Sequence, residues 1–202
     1  LAETMAECGN VEILFADAME LDLDAALEAR FPGRRCVACA NLPYNITTPV
    51  LTRLYGCERL EYITVMIQRE VARRLCAEPG SKDYGAFTVF TQWHMEPEIL
   101  FDVSPGCFIP QPKVTSSVIR LHRRSRSPYE VSDEALLFRL VRAAFNQRRK
   151  TLVNALQPAV VGLEKDAIES CVRRCGLDER VRGEALGLAE FARLTEEIAG
   201  VL

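Results

Sequence analysis

The sequence is poor in features that mark several common protein classes. It has two histidines and one tryptophan among 202 residues. No apolar run reaches the roughly 18 residues that indicate a membrane-spanning helix, and no secretory signal pattern opens the sequence. We therefore predict no membrane association and a cytoplasmic location.

The scarcity of histidine also argues against a metal site. Eight cysteines are scattered along the chain, which predicts reduced thiols rather than a disulfide framework. Cys36 and Cys39 stand three apart in a predicted strand, where they would point to opposite faces. Cys171 and Cys175 stand four apart on a predicted helix, without a nearby histidine to complete a zinc site. We predict no metal and favour buried structural thiols.

Positive charge, in contrast, is concentrated in one part of the chain. The net charge is -3, yet residues 103–150 carry ten basic and three acidic side chains, while the remaining quarters are acidic. Such a basic block is typical of a surface that binds a polyanion such as nucleic acid. A solvated helix face would give the same pattern.

Two kinds of pattern follow one another along the chain. In the first part, short apolar runs alternate with helical periodicity, which predicts a parallel sheet with crossover helices. Two later strand-like runs bracket a proline-rich loop and predict an antiparallel hairpin at a sheet edge. The predicted strands are 11–16, 34–40, 62–68, 96–105 and 116–123, and the predicted helices of this part are 1–9, 49–55, 70–77 and 85–94.

Beyond about residue 127 only helical patterns occur, the first with Ser132 as its predicted N-cap. The sequence therefore predicts the α/β fold class, with a sheet domain in residues 1–126 and a small all-helical domain in residues 127–202.

Polar residues follow two of the predicted strands, where ligands bind in an open α/β sheet. Asp17 is one, and Asn41 opens the tetrapeptide Asn-Leu-Pro-Tyr. The Asn41 side chain and the Leu42 backbone carbonyl could accept both N–H bonds of an adenine amine and aim its lone pair at an electrophilic methyl group. Pro43 would keep Leu42 extended, and Tyr44 would offer a stacking face. The structural alternatives are a helix cap at Asp17 and a strand-end turn with Tyr44 in the core.

The stretch "NLPYNITTP" closely resembles the N-[LIV]-P-[YF] motif of ribosomal RNA adenine N6-methyltransferases, especially the small-subunit dimethyltransferase family of the KsgA type. Four other segments agree in order: "ADAM", "MIQREVARRL", "FIPQPKVTSSVIRL" and "AFNQRRKTLVNAL". The resemblance covers essentially the whole chain. It implies a Rossmann-like class I methyltransferase sheet, N-terminally incomplete, and dimethylation of N6 on two neighbouring adenosines near the 3′ end of small-subunit ribosomal RNA. The implied methyl donor is S-adenosylmethionine.

The resemblance also implies roles for single residues. The cofactor would be contacted by Asp17, Ala18 and Asn41. Phe108 would stack on the face of the target adenine opposite Tyr44, so that the implied catalytic set is Asn41, Leu42, Pro43, Tyr44 and Phe108. The implied RNA contacts are Lys113, Arg123, Arg124, Arg126, Arg148, Arg149 and Lys150, with Arg69, Arg73 and Arg74 as possible additions. The implied partner is small-subunit ribosomal RNA in an immature 30S-type particle, bound by a monomer.

The sequence departs from the family in one respect. Family members carry a glycine-rich loop for the methionine part of the cofactor and an acidic residue for its ribose, and this sequence contains no G-x-G. We therefore expect a C-terminal part of a longer enzyme that binds the cofactor weakly by itself. Three alternatives stay open: a resistance-type methyltransferase of large-subunit RNA, a mitochondrial relative acting in transcription, and a non-catalytic RNA-binding or ribosome-assembly module.

Overall fold

A four-stranded mixed sheet forms the first part of the protein in the computed structural model, which describes residues 3–202. The strands are Cys36–Asn41 (β1), Leu60–Gln68 (β2), Met95–Val103 (β3) and Ser116–Arg123 (β4), in the spatial order β1-β2-β4-β3. β1 and β2 run parallel, whereas β4 runs antiparallel to both of its neighbours. The predicted α/β class and the antiparallel edge hairpin are confirmed.

Eight α-helices accompany the sheet in the described part of the chain. They are Leu23–Arg30 (α1), Thr47–Gly56 (α2), Arg69–Leu75 (α3), Ala86–His94 (α4), Glu134–Asn146 (α5), Leu152–Leu156 (α6), Lys165–Arg174 (α7) and Leu188–Ala199 (α8). None of these helices has the length and apolar character needed to cross a membrane.

The sheet core is built around β2, which is paired along both edges. Its alternate residues Ile63, Val65 and Ile67 are buried, as the period of two in a strand requires. They pack with Leu51 of α2 and Leu75 of α3 in one apolar cluster. Helices and sheet therefore exclude water from a single face.

Helix α4 joins this core to a second one. Phe87 and Phe90, three residues apart, pack against the sheet cluster. Val89 and Trp93, four residues apart, lie in the cluster formed by helices α5 to α8. The predicted boundary between residues 126 and 127 stays a prediction, and the helical core also draws on residues that precede this boundary.

The predicted strand at 11–16 is wrong. This segment has no regular secondary structure, and the side chains of Val11, Ile13, Leu14 and Phe15 are exposed. An apolar run becomes a strand only when a neighbour satisfies its backbone groups, and no described strand pairs with this one. The predicted helix at 1–9 is also corrected, because residues 3–7 form turns and residues 1–2 lie outside the described residues.

The N-cap of α5 is Asp133 rather than the predicted Ser132. Asp133 Oδ1 accepts a hydrogen bond from the Leu136 backbone N–H at 2.8 Å. The backbone N–H and hydroxyl of Ser132 instead donate to Glu196 Oε1 at 2.6 and 2.9 Å. Both residue types cap helices well, so their local pattern could not decide between them.

The structure confirms buried thiols at Cys171 and Cys175 and opposite faces for Cys36 and Cys39, but the latter two are not buried. Cys36 is half-buried and Cys39 is exposed, on alternate faces of β1. Cys171 and Cys175 are buried thiols of the helical core. Burial raises the pKa of both of these thiols, which keeps them protonated.

Gly183 permits the closest packing in the helical core. A Cβ there would lie 2.5 Å from Ala144 Cβ and 3.2 Å from the Ala144 backbone. We predict that Gly183→Ala lowers the free energy of unfolding by about 1–3 kcal/mol, because α5 must move away. Urea unfolding measures this change.

Gly56→Ala is the matched control, because Gly56 ends α2 and a Cβ added there would meet no atom within 4 Å. Gly56→Ala should leave the free energy of unfolding unchanged or raise it slightly, since alanine favours the helix more than glycine does. Equal unfolding midpoints for Gly183→Ala and the unmodified protein would contradict the close approach.

Candidate nucleic-acid and cofactor site

Several chain segments meet at one edge of the sheet. β1 and β2 end there at Asn41 and Gln68, and β3 ends there at Val103. β4 starts at this edge, with Ser116 in register between Gln68 and Val103. The loop at 104–115 therefore returns to the edge where the Asn-Leu-Pro-Tyr segment leaves β1.

Backbone hydrogen bonds hold the Asn-Leu-Pro-Tyr segment in place. The Leu42 N–H donates to the Met66 carbonyl at 3.2 Å, which extends the β1–β2 ladder beyond Asn41. The Pro43 carbonyl accepts from the Ile46 N–H and from the Thr47 hydroxyl, each at 3.2 Å. These bonds form the short turn Tyr44–Ile46, which leads from the strand into α2. They leave the Asn41 side chain exposed at the strand end.

Tyr44 is fixed across the sheet by a hydrogen bond with Ser116. The two hydroxyl oxygens lie 2.6 Å apart, and either group can donate. Ser116 is buried, whereas Tyr44 is half-buried, so the aromatic ring is anchored at its polar end. Sequence reasoning missed Ser116. Its signal was a pair of serines at the start of the predicted strand at 116–123.

The loop that carries Phe108 is tied to the same edge. At one end, the Ser117 hydroxyl of β4 donates to Asp102 of β3 at 2.5 Å. At the other end, the Arg69 backbone N–H donates to the Thr115 carbonyl at 3.0 Å. Phe108 is half-buried within this loop. The structure thus brings the loop of Phe108 and the segment of Tyr44 to one edge.

Asp17 forms a local turn and also keeps an available oxygen. Its Oδ1 accepts from the Met19 N–H at 2.7 Å, and both Asp17 and Ala18 are exposed. A carboxylate oxygen and the Asn41 amide are suitable partners for an adenine amine and other polar groups of a nucleoside. The chemistry of these two side chains suits the adenosine end of S-adenosylmethionine, but Asp17 does not follow a strand as predicted, because residues 11–16 have no regular structure. Among residues 3–202, no group of three or more potential metal ligands occurs.

Two of the residues predicted to contact RNA, Arg123 and Arg124, make several hydrogen bonds within the protein. Arg123 Nε donates to the Leu60 carbonyl at 2.7 Å, and its Nη2 donates to Tyr55 and Cys57 carbonyls at 2.9 and 2.8 Å. Burial lowers the pKa of the Arg123 guanidinium, although acidic neighbours oppose this. Arg124 is bound to Glu96 at 2.8 Å and to the Gln92 carbonyl at 2.9 Å. Both arginines hold structural elements together.

Arg148 likewise joins two parts of the fold. Its Nε donates to Glu184 Oε2 at 2.6 Å, and its Nη2 donates to the carbonyls of Ser81 and Lys82 at 3.3 and 3.1 Å. Arg148 thus has a structural role, and the prediction that it contacts RNA stays a prediction. The other predicted contacts are exposed and have no side-chain hydrogen bond or ion pair with a described residue; they are Lys113, Arg126, Arg149 and Lys150.

Comparison with known proteins identifies relatives along the whole chain. The family model for ribosomal RNA adenine dimethylase matches residues 1–199. "Ribosomal RNA small subunit methyltransferase A" of Alkaliphilus oremlandii is 43% identical over 200 residues, which cover 98% of this chain and 70% of that protein. The protein of the same name from Geobacillus thermodenitrificans is 45% identical over 204 residues, covering 98% and 69%.

Solved structures show the same fold. The crystal structure of a dimethyladenosine transferase from Plasmodium falciparum gives a TM-score of 0.80 at 22% identity, over 98% of this chain and 76% of that one. The 23S rRNA methyltransferase ErmE gives a TM-score of 0.69 at 22% identity, with the same coverage. At this identity the similarity shows the fold alone, a class I methyltransferase sheet.

The contacts of Arg148 predict a structural role that its neighbour Arg149 lacks. Arg148→Ala removes three hydrogen bonds and leaves Glu184 without its partner, so we expect a loss of about 1–3 kcal/mol of stability. Arg149→Ala is the matched control and should change stability by less than about 0.5 kcal/mol. Thermal unfolding of both variants tests the assignment. Equal melting temperatures for Arg148→Ala and Arg149→Ala would contradict a structural role for Arg148.

Proposed function

The chain belongs to the ribosomal RNA adenine dimethylase family, and we propose on this premise that it methylates N6 of two adjacent adenosines near the 3′ end of small-subunit ribosomal RNA. The methyl donor is S-adenosylmethionine, as the family implies. The observation that carries the proposal is the Tyr44–Ser116 bond, which anchors Asn-Leu-Pro-Tyr beside the start of β4. The names of the bacterial relatives support the small subunit as the target.

Adenine N6 is a weak nucleophile because its lone pair is delocalised into the ring. In the proposed site, Asn41 Oδ1 accepts one N–H bond of the amine and the Leu42 carbonyl accepts the other. These two acceptors favour a pyramidal nitrogen with a localised lone pair. The adenine ring stacks between Tyr44 and Phe108 after it leaves its RNA stack. The rigid turn at Pro43 keeps both acceptors in position.

Bound S-adenosylmethionine supplies the electrophilic methyl group, with Asp17, Ala18 and Asn41 holding its adenosine end. A carboxylate oxygen of Asp17 would accept a hydrogen bond from the adenine amine of the cofactor. On the RNA side, N6 carries a positive charge once it is methylated, so it loses a proton to solvent without a strong base. This account agrees with an edge that presents amide and carbonyl acceptors and no histidine.

The proposed partner is small-subunit ribosomal RNA within an immature 30S-type particle. Lys113, Arg126, Arg149 and Lys150 are exposed cations that can neutralise phosphates. The protein would act as a monomer, because the large ribosomal partner supplies the surface that a second copy would otherwise provide. It would act in the cytoplasm. Sequence specificity would come mainly from RNA shape and unstacked bases.

A non-catalytic RNA-binding or ribosome-assembly role is the second candidate. The observation that favours it is the set of exposed cations without an ion pair to a described residue, Lys113, Arg126, Arg149 and Lys150, because phosphate binding needs no cofactor. In this case the chain would bind small ribosomal subunits and transfer no methyl group.

Asn41→Ala separates catalysis from binding. We predict that it lowers methyl transfer by about 100-fold or more, because one of the two acceptors for the amine is lost. The affinity for unmethylated small subunits should stay within about twofold, since phosphate contacts dominate RNA affinity. Transfer of labelled methyl groups and subunit binding are measured on the same preparation.

Asn45→Ala is the matched control, because Asn45 is an exposed asparagine of the same segment. It should keep full transfer. Unchanged transfer in Asn41→Ala would contradict the orienting role. Subunit binding without any transfer by the unmodified chain would favour the assembly role.

A further inference from the structure

A positively charged depression of about 630 Å³ lies next to the Tyr44–Ser116 pair. Gln68, at the end of β2, forms part of its wall, together with Thr115, which directly precedes Ser116. Its basic lining residues are Arg69, Arg73, Lys82 and Lys113. The depression is thus continuous with the sheet edge that is proposed to hold the target base.

The charges of the depression are only partly compensated. Glu70 and Asp83 also line it, but Glu70 is paired with Arg74 at 3.1 Å. Arg69 lies 3.7 Å from Asp102. Within the described chain, Arg73, Lys82 and Lys113 have no ion pair, and Asp83 is the one unpaired carboxylate facing them. An open surface with this excess of cations suits a phosphodiester.

The loop that carries Lys82 is fixed by helices α5 to α8 and their connecting segments, called here the helical unit. The Gly80 N–H donates to the Glu184 carbonyl at 2.7 Å, and the Tyr84 hydroxyl donates to the Leu186 carbonyl at 2.9 Å. Between these two points, Arg148 bonds to the Lys82 carbonyl and to the Glu184 carboxylate. The backbone of Lys82 is therefore held before any RNA binds, which reduces the entropy lost on binding.

We propose that Arg73, Lys82 and Lys113 bind a phosphate of the RNA strand next to the target adenosine, and that Arg148 is a positioning residue for Lys82 that does not touch the RNA. The inference rests on the proposed function for the identity of the RNA. It gives the helical unit an indirect role in substrate binding, through the geometry of the 80–84 loop.

Lys82→Ala tests the phosphate contact. The probe is a labelled RNA hairpin with two adjacent adenosines in its loop, and the dissociation constant is measured over a range of salt concentrations. Loss of one phosphate contact should reduce the slope of log affinity against log salt by about 0.7–0.9. Lys165→Ala is the control, because Lys165 is an exposed lysine of α7 outside the depression, and it should keep the slope of the unmodified protein.

Neutral methylphosphonate linkages locate the contact. Placed beside the adenosines, such a linkage should weaken binding of the unmodified protein and of Lys165→Ala, and should weaken Lys82→Ala less, because only Arg73 and Lys113 then remain to bind the phosphate. A Lys82→Ala variant with the unmodified slope, or with full sensitivity to the neutral linkage, would overturn the phosphate site.

Arg148→Ala and Glu184→Gln test the positioning role, below the melting temperature of each variant. Both should reproduce the reduced slope of Lys82→Ala, and combining either with Lys82→Ala should add nothing. Additive losses would overturn positioning and indicate that Arg148 meets RNA directly. If Arg148→Ala does not fold, Glu184→Gln disrupts the same bridge while the Glu184 carbonyl still holds Gly80.

Different results would contradict the proposed function and the phosphate site. Absence of salt-dependent RNA binding and of methyl transfer in the unmodified chain would contradict the proposed function. Normal methyl transfer together with an unchanged salt slope in Lys82→Ala would overturn only the phosphate site.

Discussion

The antiparallel pairing of β4 with β2 is the constraint on which the candidate site depends. β1 and β2 run parallel and deliver their carboxyl ends to one edge. Because β4 runs in the opposite direction, it begins at this same edge and brings Ser116 beside Gln68. This geometry lets a serine hydroxyl of β4 hold the tyrosine that follows β1. The same register fixes Thr115, and with it one wall of the cationic depression, so base and phosphate recognition share one support.

The elements that were predicted well are those whose own residue pattern is sufficient to identify a strand or a helix. β2 alternates buried and half-buried residues along most of its length, and α4 shows apolar residues on two faces at helical spacing. The segment at 11–16 looked equally apolar, but a strand also requires a partner for its backbone, and no local pattern supplies one. The side chain of Arg123 posed a similar problem. Its charge suggested RNA, while the carbonyls that bind it come from residues 54–60, more than 60 positions away.

The arginines and lysines of the chain thus divide into two groups by what surrounds them. Arg123, Arg124 and Arg148 each bond to backbone carbonyls, which a guanidinium can do at several points because its donors form a planar fork. Lysine has a single compact charge, and two lysines, Lys82 and Lys113, are among the cations that remain exposed near the sheet edge. A count of basic residues suggests a single RNA-binding surface, whereas the hydrogen bonds separate structural arginines from exposed cations. The backbone path of the Asn-Leu-Pro-Tyr segment follows more directly from the sequence, because a proline and a following helix limit it locally; the roles of its side chains stay predictions.

The two-faced packing of α4 has a consequence for how this architecture can change in evolution. The cluster of helices α5 to α8 includes Ala77, Tyr84, Val89 and Trp93, which the chain contributes before residue 127. A fragment cut at that boundary would lack these side chains and would expose the apolar surface they cover. The helical unit is therefore not an independent module that gene fusion could transfer to another sheet. Exchange of substrate-recognition surfaces in such an architecture would have to proceed by gradual replacement of side chains, or by transfer of α4 and its preceding loop together with the helices.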